Sequence, residues 1–80
     1  MTREQAYERL NKVFREVFDD DSIVVADETT ADDIEEWDSF EHINLIVAVE
    51  EEFGFKIPMG KTVTMKNVGE MVDLILENGK

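Results

Sequence analysis

The chain has 80 residues, of which 42% are hydrophobic, a net charge of −12 and no cysteine. A chain of this length forms one domain with one modest core, which leaves little room for a deep substrate pocket. The negative charge disfavours binding to nucleic acid or anionic membranes and favours partners with basic surfaces. No apolar run approaches membrane-spanning length. We therefore expect a single domain over residues 1–80 that is cytoplasmic and monomeric.

The first predicted element is a helix from about Arg3 to Phe18. Thr2 and Gln5 have the spacing of a capping box, in which two side chains bond to each other's backbone N–H groups. Apolar residues then recur with the period of a helix and predict its buried face. They are Ala6, Leu10, Val13, Phe14 and Val17.

A long connection from about residue 19 to 38 follows this helix. Its Asp19-Asp20-Asp21 run lacks the ligand order and glycine of a calcium-binding loop, so we interpret it as solvated. The residues Thr30–Ile34 are expected to form one helical turn capped by Thr29 or Thr30. Four apolar residues are expected to hold the connection on the core: Ile23, Val25, Ile34 and Trp37.

The next helix is predicted to begin after Asp38 and to end at Phe53. Asp38 and Glu41 again have capping-box spacing, and Gly54 suits a left-handed end. Ser39 thus falls in the first turn, where backbone N–H groups lack helical partners. The positive end of the helix dipole at this point favours an anion such as a phosphate.

This second helix has two apolar stripes, of which a small domain can bury one. Leu45, Ile46, Val49 and Phe53 form the first stripe. The second stripe contains Phe40, Ile43 and Val47, and we interpret it as a docking surface with polar neighbours. Those neighbours are Glu41, Asn44, Glu50 and Glu51. The alternative is that the second stripe packs under the long loop.

Two further helices complete the predicted fold. Pro58 stops the preceding helix, and Met59–Thr64 predicts a short, weak one. Asn67 and Glu70 have capping spacing before a last helix that is expected to end at Gly79. Its expected inner face contains Val68, Met71, Val72, Ile75 and Leu76. The fold class is an all-α four-helix bundle, with three main helices, one short helix and a long loop between the first two.

The acidic residues are concentrated in the middle of the chain. Fifteen Asp or Glu residues and no Lys or Arg lie between Glu16 and Phe55. These acids surround the predicted Ser39 helix, so their field would steer basic partner proteins toward it.

The residues needed for autonomous catalysis are not evident. His42 is the only histidine, and it is expected to be a structural residue facing the core. Ser39 lies three positions before it, but a serine at a helix start without an oxyanion site or third group is a poor nucleophile. We expect neither a catalytic residue nor a metal site.

The segment from Trp37 to Gly54 resembles the acyl carrier proteins and the related carrier domains of polyketide and nonribosomal peptide synthesis. Those proteins have Asp-Ser-Leu at the start of the second helix, followed by an apolar helix that ends in acids and Phe. Here the sequence reads Asp38-Ser39-Phe40, and later Glu50-Glu51-Glu52-Phe53-Gly54. Glu36 stands where the family usually has Gly, and Phe40 replaces the usual Leu. Length, charge and helix order extend the resemblance over nearly the whole chain.

The resemblance implies a non-catalytic carrier. Ser39 would hold a covalent 4'-phosphopantetheine arm derived from coenzyme A, with Asp38 as the adjacent helix cap. The implied partners are a phosphopantetheinyl transferase and enzymes that load or transfer acyl or aminoacyl groups. Fatty acid, polyketide or peptide synthesis and cell-surface polymer acylation all stay open as pathways. The alternative is an unmodified acidic module that binds a basic protein surface.

Overall fold

Four α-helices make up the fold, as the sequence predicts. The computed structural model describes residues 1–78, without the side chains of Met59 and Val63. The helices are α1 (Arg3–Val17), α2 (Ser39–Phe53), α3 (Met59–Thr64) and α4 (Val68–Asn78). A 3-10 turn at Ala31–Asp33 interrupts the long connection between α1 and α2. The predicted end of the last helix at Gly79 lies outside the described residues.

Side-chain caps fix where the helices start. In α1 the Thr2 hydroxyl accepts from Gln5 N at 3.1 Å, and Gln5 Oε1 accepts from Thr2 N at 2.9 Å. This completes the predicted capping box. At α4, Asn67 Oδ1 accepts from Glu70 N at 3.0 Å, as its spacing predicts.

One helix boundary differs from its prediction by a single residue. α1 ends at Val17, and Phe18 is its C-cap. The Phe18 N–H still donates to Phe14 O at 3.0 Å, so the last turn is closed without helical geometry at Phe18.

The core lies where α1 packs against α2 and α4. The predicted face of α2 is buried there, together with most of the predicted faces of α1 and α4. On α1, Val17 is only half-buried. Leu76, however, is half-buried, whereas Leu74 is buried. At about 100° per residue, both leucines lie on opposite edges of the α4 face, so only tertiary contacts decide between them.

The long connection is anchored to the core by apolar side chains and by hydrogen bonds from α1. Ile23, Val25 and Ile34 are buried, as expected. Val25 N donates to Asn11 Oδ1 at 2.7 Å, and Arg15 Nε donates to Ile23 O at 2.8 Å. These bonds satisfy backbone groups of the connection that have no partner within a helix or sheet.

A polar cluster joins the connection to α1 and α4. Arg3 donates to the carboxylates of Asp27 and Asp73, each at 2.8 Å, and the Tyr7 hydroxyl also donates to Asp27. The Tyr7 bond, followed by the Arg3 bond, lowers the pKa of Asp27. A carboxylate with a lowered folded pKa stabilises the fold above its unfolded pKa, so this contribution is lost in acid.

The connection also lies directly against the start of α4. Val68 N donates to Thr29 O at 2.8 Å, and Gly69 N donates to Asp27 O at 3.0 Å. A Cβ atom on Gly69 would lie 2.9 Å from Asp27 O, which is closer than such atoms approach. A glycine is therefore needed at this position because the two backbone segments touch.

Replacing Gly69 by Ala is expected to lower the free energy of unfolding by about 1–3 kcal/mol, because the added methyl group overlaps the backbone of the connection. Gly60→Ala is the matched control, since a Cβ there meets nothing within 4 Å. That substitution should instead stabilise the protein by about 0.5–1 kcal/mol through helix propensity. Urea unfolding followed by circular dichroism measures both values. A Gly69→Ala variant as stable as the wild type would contradict the close contact.

Candidate functional site

Ser39 is the first residue of α2, and its side chain is exposed. Asp38 is the N-cap in an extended conformation, and its Oδ1 accepts from Glu41 N at 2.8 Å. Asp38 O accepts from His42 N at 2.9 Å. Within residues 1–78, the N–H groups of Ser39 and Phe40 have no hydrogen-bond acceptor. Ser39 thus combines an accessible hydroxyl with the positive end of a 15-residue helix.

The capping box predicted at this helix start is only half formed. Instead of reaching back to Asp38 N, the Glu41 carboxylate accepts from Asn44 Nδ2 at 3.0 Å. Asp38 N itself donates to Glu36 O at 3.1 Å, so it is already satisfied. Glu41 and Asn44 therefore form a polar pair on the surface of α2 one turn beyond Ser39.

A groove of about 480 Å³ opens beside Ser39. Its walls come from the segment before α2, from α3 and from the segment that leads into α4. The lining residues are Ala31, Trp37, Asp38, Ser39, His42, Thr62, Met65, Lys66, Asn67 and Met71. The groove thus combines apolar walls with one ammonium group, that of Lys66, and lies within reach of the Ser39 hydroxyl.

Trp37 and His42 hold the base of this groove together. Trp37 Nε1 donates to His42 Nδ1 at 3.0 Å, and His42 Nε2 lies 2.9 Å from Thr62 O. The Trp37 ring also packs edge-on against Phe14 of α1, with centroids 5.3 Å apart. His42 is therefore a structural residue, as the sequence predicts, with both ring nitrogens hydrogen-bonded. Trp37 holds the end of the connection against the core, as expected.

The second apolar stripe of α2 faces solvent. Phe40 is 74% exposed, Ile43 65% and Val47 48%, so the alternative in which the stripe packs under the long loop is wrong. Side chains this large are usually buried or covered by a partner when they are grouped on one face. The first stripe, by contrast, forms the core contact of α2, with Leu45, Ile46, Val49 and Phe53 all buried.

The two acids predicted beside the stripe differ in their surroundings. Glu51 is exposed, whereas Glu50 is half-buried. Glu50 Oε2 accepts from Ile57 N at 2.7 Å and so fixes the turn after Gly54, whose φ of 72° gives the predicted left-handed cap. Glu50 therefore has a structural contact in addition to its place beside the exposed stripe.

A smaller cavity of about 250 Å³ lies between α2 and α3. Its lining residues are His42, Ile43, Ile46, Val47, Glu50, Ile57 and Thr62. Of the core residues, Ile46 and Ile57 also line this cavity, and Met71 also lines the groove beside Ser39.

Comparison with known proteins gives an informative relative among solved structures. No protein-family model matches the chain, and a search of curated proteins finds no match either. Among solved structures, the chain is similar to the holo acyl carrier protein from Geobacter metallireducens, determined by solution NMR. The two are 46% identical, the match covers 90% of this chain and 83% of that chain, and the TM-score is 0.84. The chain belongs to the acyl carrier protein family.

In the described part of this acyl carrier protein, no three or more His, Cys, Asp or Glu side chains are grouped to hold a metal ion. No helix within residues 1–78 is both long enough and apolar enough to cross a membrane.

Sequence reasoning missed the far wall of the groove. Met65 and Lys66 lie between α3 and α4, more than 20 positions from Ser39, and nothing in their spacing links them to it. One signal for the far wall was available in the sequence. The helix predicted after Pro58 is short and weak, which favours a chain that turns back toward the start of α2.

Replacing Asp38 by Ala is expected to lower the free energy of unfolding by about 1 kcal/mol, because Glu41 N loses its acceptor. Asp38→Asn is the matched control, since an amide oxygen caps a helix about as well as a carboxylate. Urea unfolding of the three proteins measures the difference. If the Asn variant lost as much stability as the Ala variant, the charge of Asp38 rather than its cap would be responsible.

Proposed function

We propose that this chain is a carrier that holds an acyl or aminoacyl group as a thioester on a 4'-phosphopantetheine arm attached to Ser39. The observation that supports this most directly is the exposed Ser39 hydroxyl at the start of α2, next to a groove of about 480 Å³. Membership of the acyl carrier protein family supports the same conclusion. The chain itself would be a substrate of other enzymes and would catalyse no reaction.

The residues around Ser39 fit such an arm. The unpaired N–H groups of Ser39 and Phe40 and the helix dipole favour the negative charge of a phosphate on the Ser39 oxygen. The arm would supply the reactive thiol, which the sequence lacks because it contains no cysteine. Trp37, Met65 and Met71 offer apolar walls to its stem. Asp38 would orient the acceptor hydroxyl by fixing the first turn of α2.

The exposed stripe of α2 would serve as the docking surface. Phe40, Ile43 and Val47 provide apolar contact area, and the Glu41–Asn44 pair and Glu51 provide a polar rim. An apolar centre with a polar rim is the usual composition of a protein interface. The partners would be a phosphopantetheinyl transferase and the enzymes that load and transfer the cargo, each with a basic surface that matches the acidic field.

The remaining assignments follow from this role. The whole of residues 1–80 would act as one carrier domain, monomeric and cytoplasmic. Fatty acid, polyketide, peptide and cell-surface polymer pathways all stay open for the cargo. The identity of the acyl group released from the protein purified from its native host would assign the pathway.

Incubation with coenzyme A and a promiscuous phosphopantetheinyl transferase is expected to add one phosphopantetheine to the chain, measured as intact mass. Ser39→Ala should abolish the gain, because it removes the acceptor oxygen. Ser22→Ala is the matched control, since Ser22 is the only other serine and is also exposed. An unmodified wild-type chain, or modification that survives in Ser39→Ala, would favour the unmodified interaction module or another acceptor.

Val47→Asp is expected to lower kcat/KM of that modification more than about tenfold, because a charge would be desolvated in the contact. Glu51→Lys should lower it less and should also weaken its dependence on salt, because one attractive rim charge is reversed. Glu50 is unsuitable for this test, since its carboxylate also binds Ile57 N.

Glu8→Lys is the control for the docking variants, because it reverses an exposed acid on α1 and leaves α2 unchanged. Initial rates measured at two salt concentrations separate the apolar and electrostatic contributions. Equal rates for Val47→Asp, Glu51→Lys and the wild type would show that the stripe lies outside the interface with the transferase.

A further inference from the structure

The two hydrogen bonds of His42 determine which of its nitrogens carries the proton. The indole N–H of Trp37 can only donate, so His42 Nδ1 must accept at 3.0 Å with its lone pair. The Thr62 carbonyl can only accept, so His42 Nε2 must donate to it at 2.9 Å. His42 is therefore a neutral imidazole with its hydrogen on Nε2.

This one imidazole connects two walls of the groove. Trp37 lies two residues before Ser39, and its ring lies nearly coplanar with the His42 ring, edge to edge, with centroids 5.9 Å apart and an interplanar angle of 20°. Thr62 belongs to α3. Trp37, His42 and Thr62 all line the groove beside Ser39, so the bonds between them set the spacing of its walls.

Protonation would affect the two bonds of His42 differently. An imidazolium has a hydrogen on each nitrogen, so Nδ1–H would point at Trp37 Nε1–H. Two donors cannot bond across 3.0 Å, and the Trp37 bond must break. The bond from Nε2–H to Thr62 O needs no rearrangement and persists.

We propose that His42 is a positioning residue for the start of α2, and that its protonation releases the Trp37 indole from the base of the groove while leaving α3 attached. This inference concerns the chain without any arm and does not depend on the proposed function. An imidazole is the side chain whose ordinary protonation range lies closest to neutral pH, where most carboxylates stay ionised.

Charged groups of both signs lie in the cavities around the imidazole. Asp38, at the cap, and Lys66, before α4, line the groove with His42, and Glu50 lines the α2–α3 cavity with it. Phe14 and Phe18 of α1, which pack against Trp37, are uncharged, as are the other residues that line the groove. Two carboxylates and one ammonium therefore line the cavities that His42 shares, and a variant at His42 leaves all three in place.

The test is NMR of the unmodified full chain between about pH 7.5 and 5.5, a window centred on the ordinary imidazole titration. The ring nitrogens of His42 report its tautomer, and the Trp37 Nε1–H signal reports the bond. As His42 becomes protonated, the exchange protection of this N–H, corrected for intrinsic rates, should fall about threefold to tenfold, the range expected for one hydrogen bond. Its chemical shift should change with the same midpoint as the His42 ring.

His42→Gln is the conservative variant, because an amide can accept from Trp37 and donate to Thr62 without titrating. In this variant the exchange protection of the Trp37 Nε1–H should stay constant across the pH range, although every carboxylate is still present. A similar response in His42→Gln and in the wild type would assign the effect to the acids and overturn the proposal.

A second measurement covers the case in which His42→Gln does not fold. Wild-type His42 at pH 7.5 must show its hydrogen on Nε2, and a hydrogen on Nδ1 would overturn the proposal without any variant. The proposal would also be overturned if the Trp37 N–H signal of the wild type did not change as His42 becomes protonated.

Discussion

The structure depends on how α2 divides its apolar residues between the core and the solvent. Leu45, Val49 and Phe53 reach the core between α1 and α4, whereas Phe40 and Ile43 stay exposed. No element within the described residues covers the second stripe, and a core of this size needs only one face of α2. The burial of one stripe therefore fixes the rotation of α2 about its own axis. That rotation decides which way the Ser39 side chain and the second stripe face.

Two arginines of α1 form ion pairs with acidic residues at the places where α1 packs against other parts of the chain. Arg9 donates to the Glu52 carboxylate at 2.8 Å and also to Glu52 O, and it lies 4.6 Å from the centroid of the Phe53 ring. A cation at this point also complements the negative end of the α2 dipole. Arg3 offsets Asp27 and Asp73 at the other end of α1. Arginine thus offsets one acid at each place where α1 meets the connection, α4 and α2.

The features that the sequence predicted correctly depend on neighbouring residues. Thr2 with Gln5, Asp38 with the first turn of α2, and Gly54 at its end are local signals, and each has the predicted contact. The misses involve a choice between competing partners. Glu41 bonds Asn44 instead of the helix start, although both lie three positions away along the chain. Glu50, predicted only as a docking acid, also bonds Ile57 N, because the turn after Gly54 brings that N–H within 2.7 Å of its carboxylate.

α3 shows most clearly why the groove could not be derived from the sequence. Its six residues are too few to be helical alone, so its position must come from tertiary contacts. One of these is the bond from His42 to Thr62 O, and these two residues line both the groove and the α2–α3 cavity. The main helices and their core need not move for α3 to shift, because the core is formed by α1, α2 and α4. The spacing of α3 from α2 therefore sets the size of both cavities together, and the His42 imidazole is a direct link between the two helices.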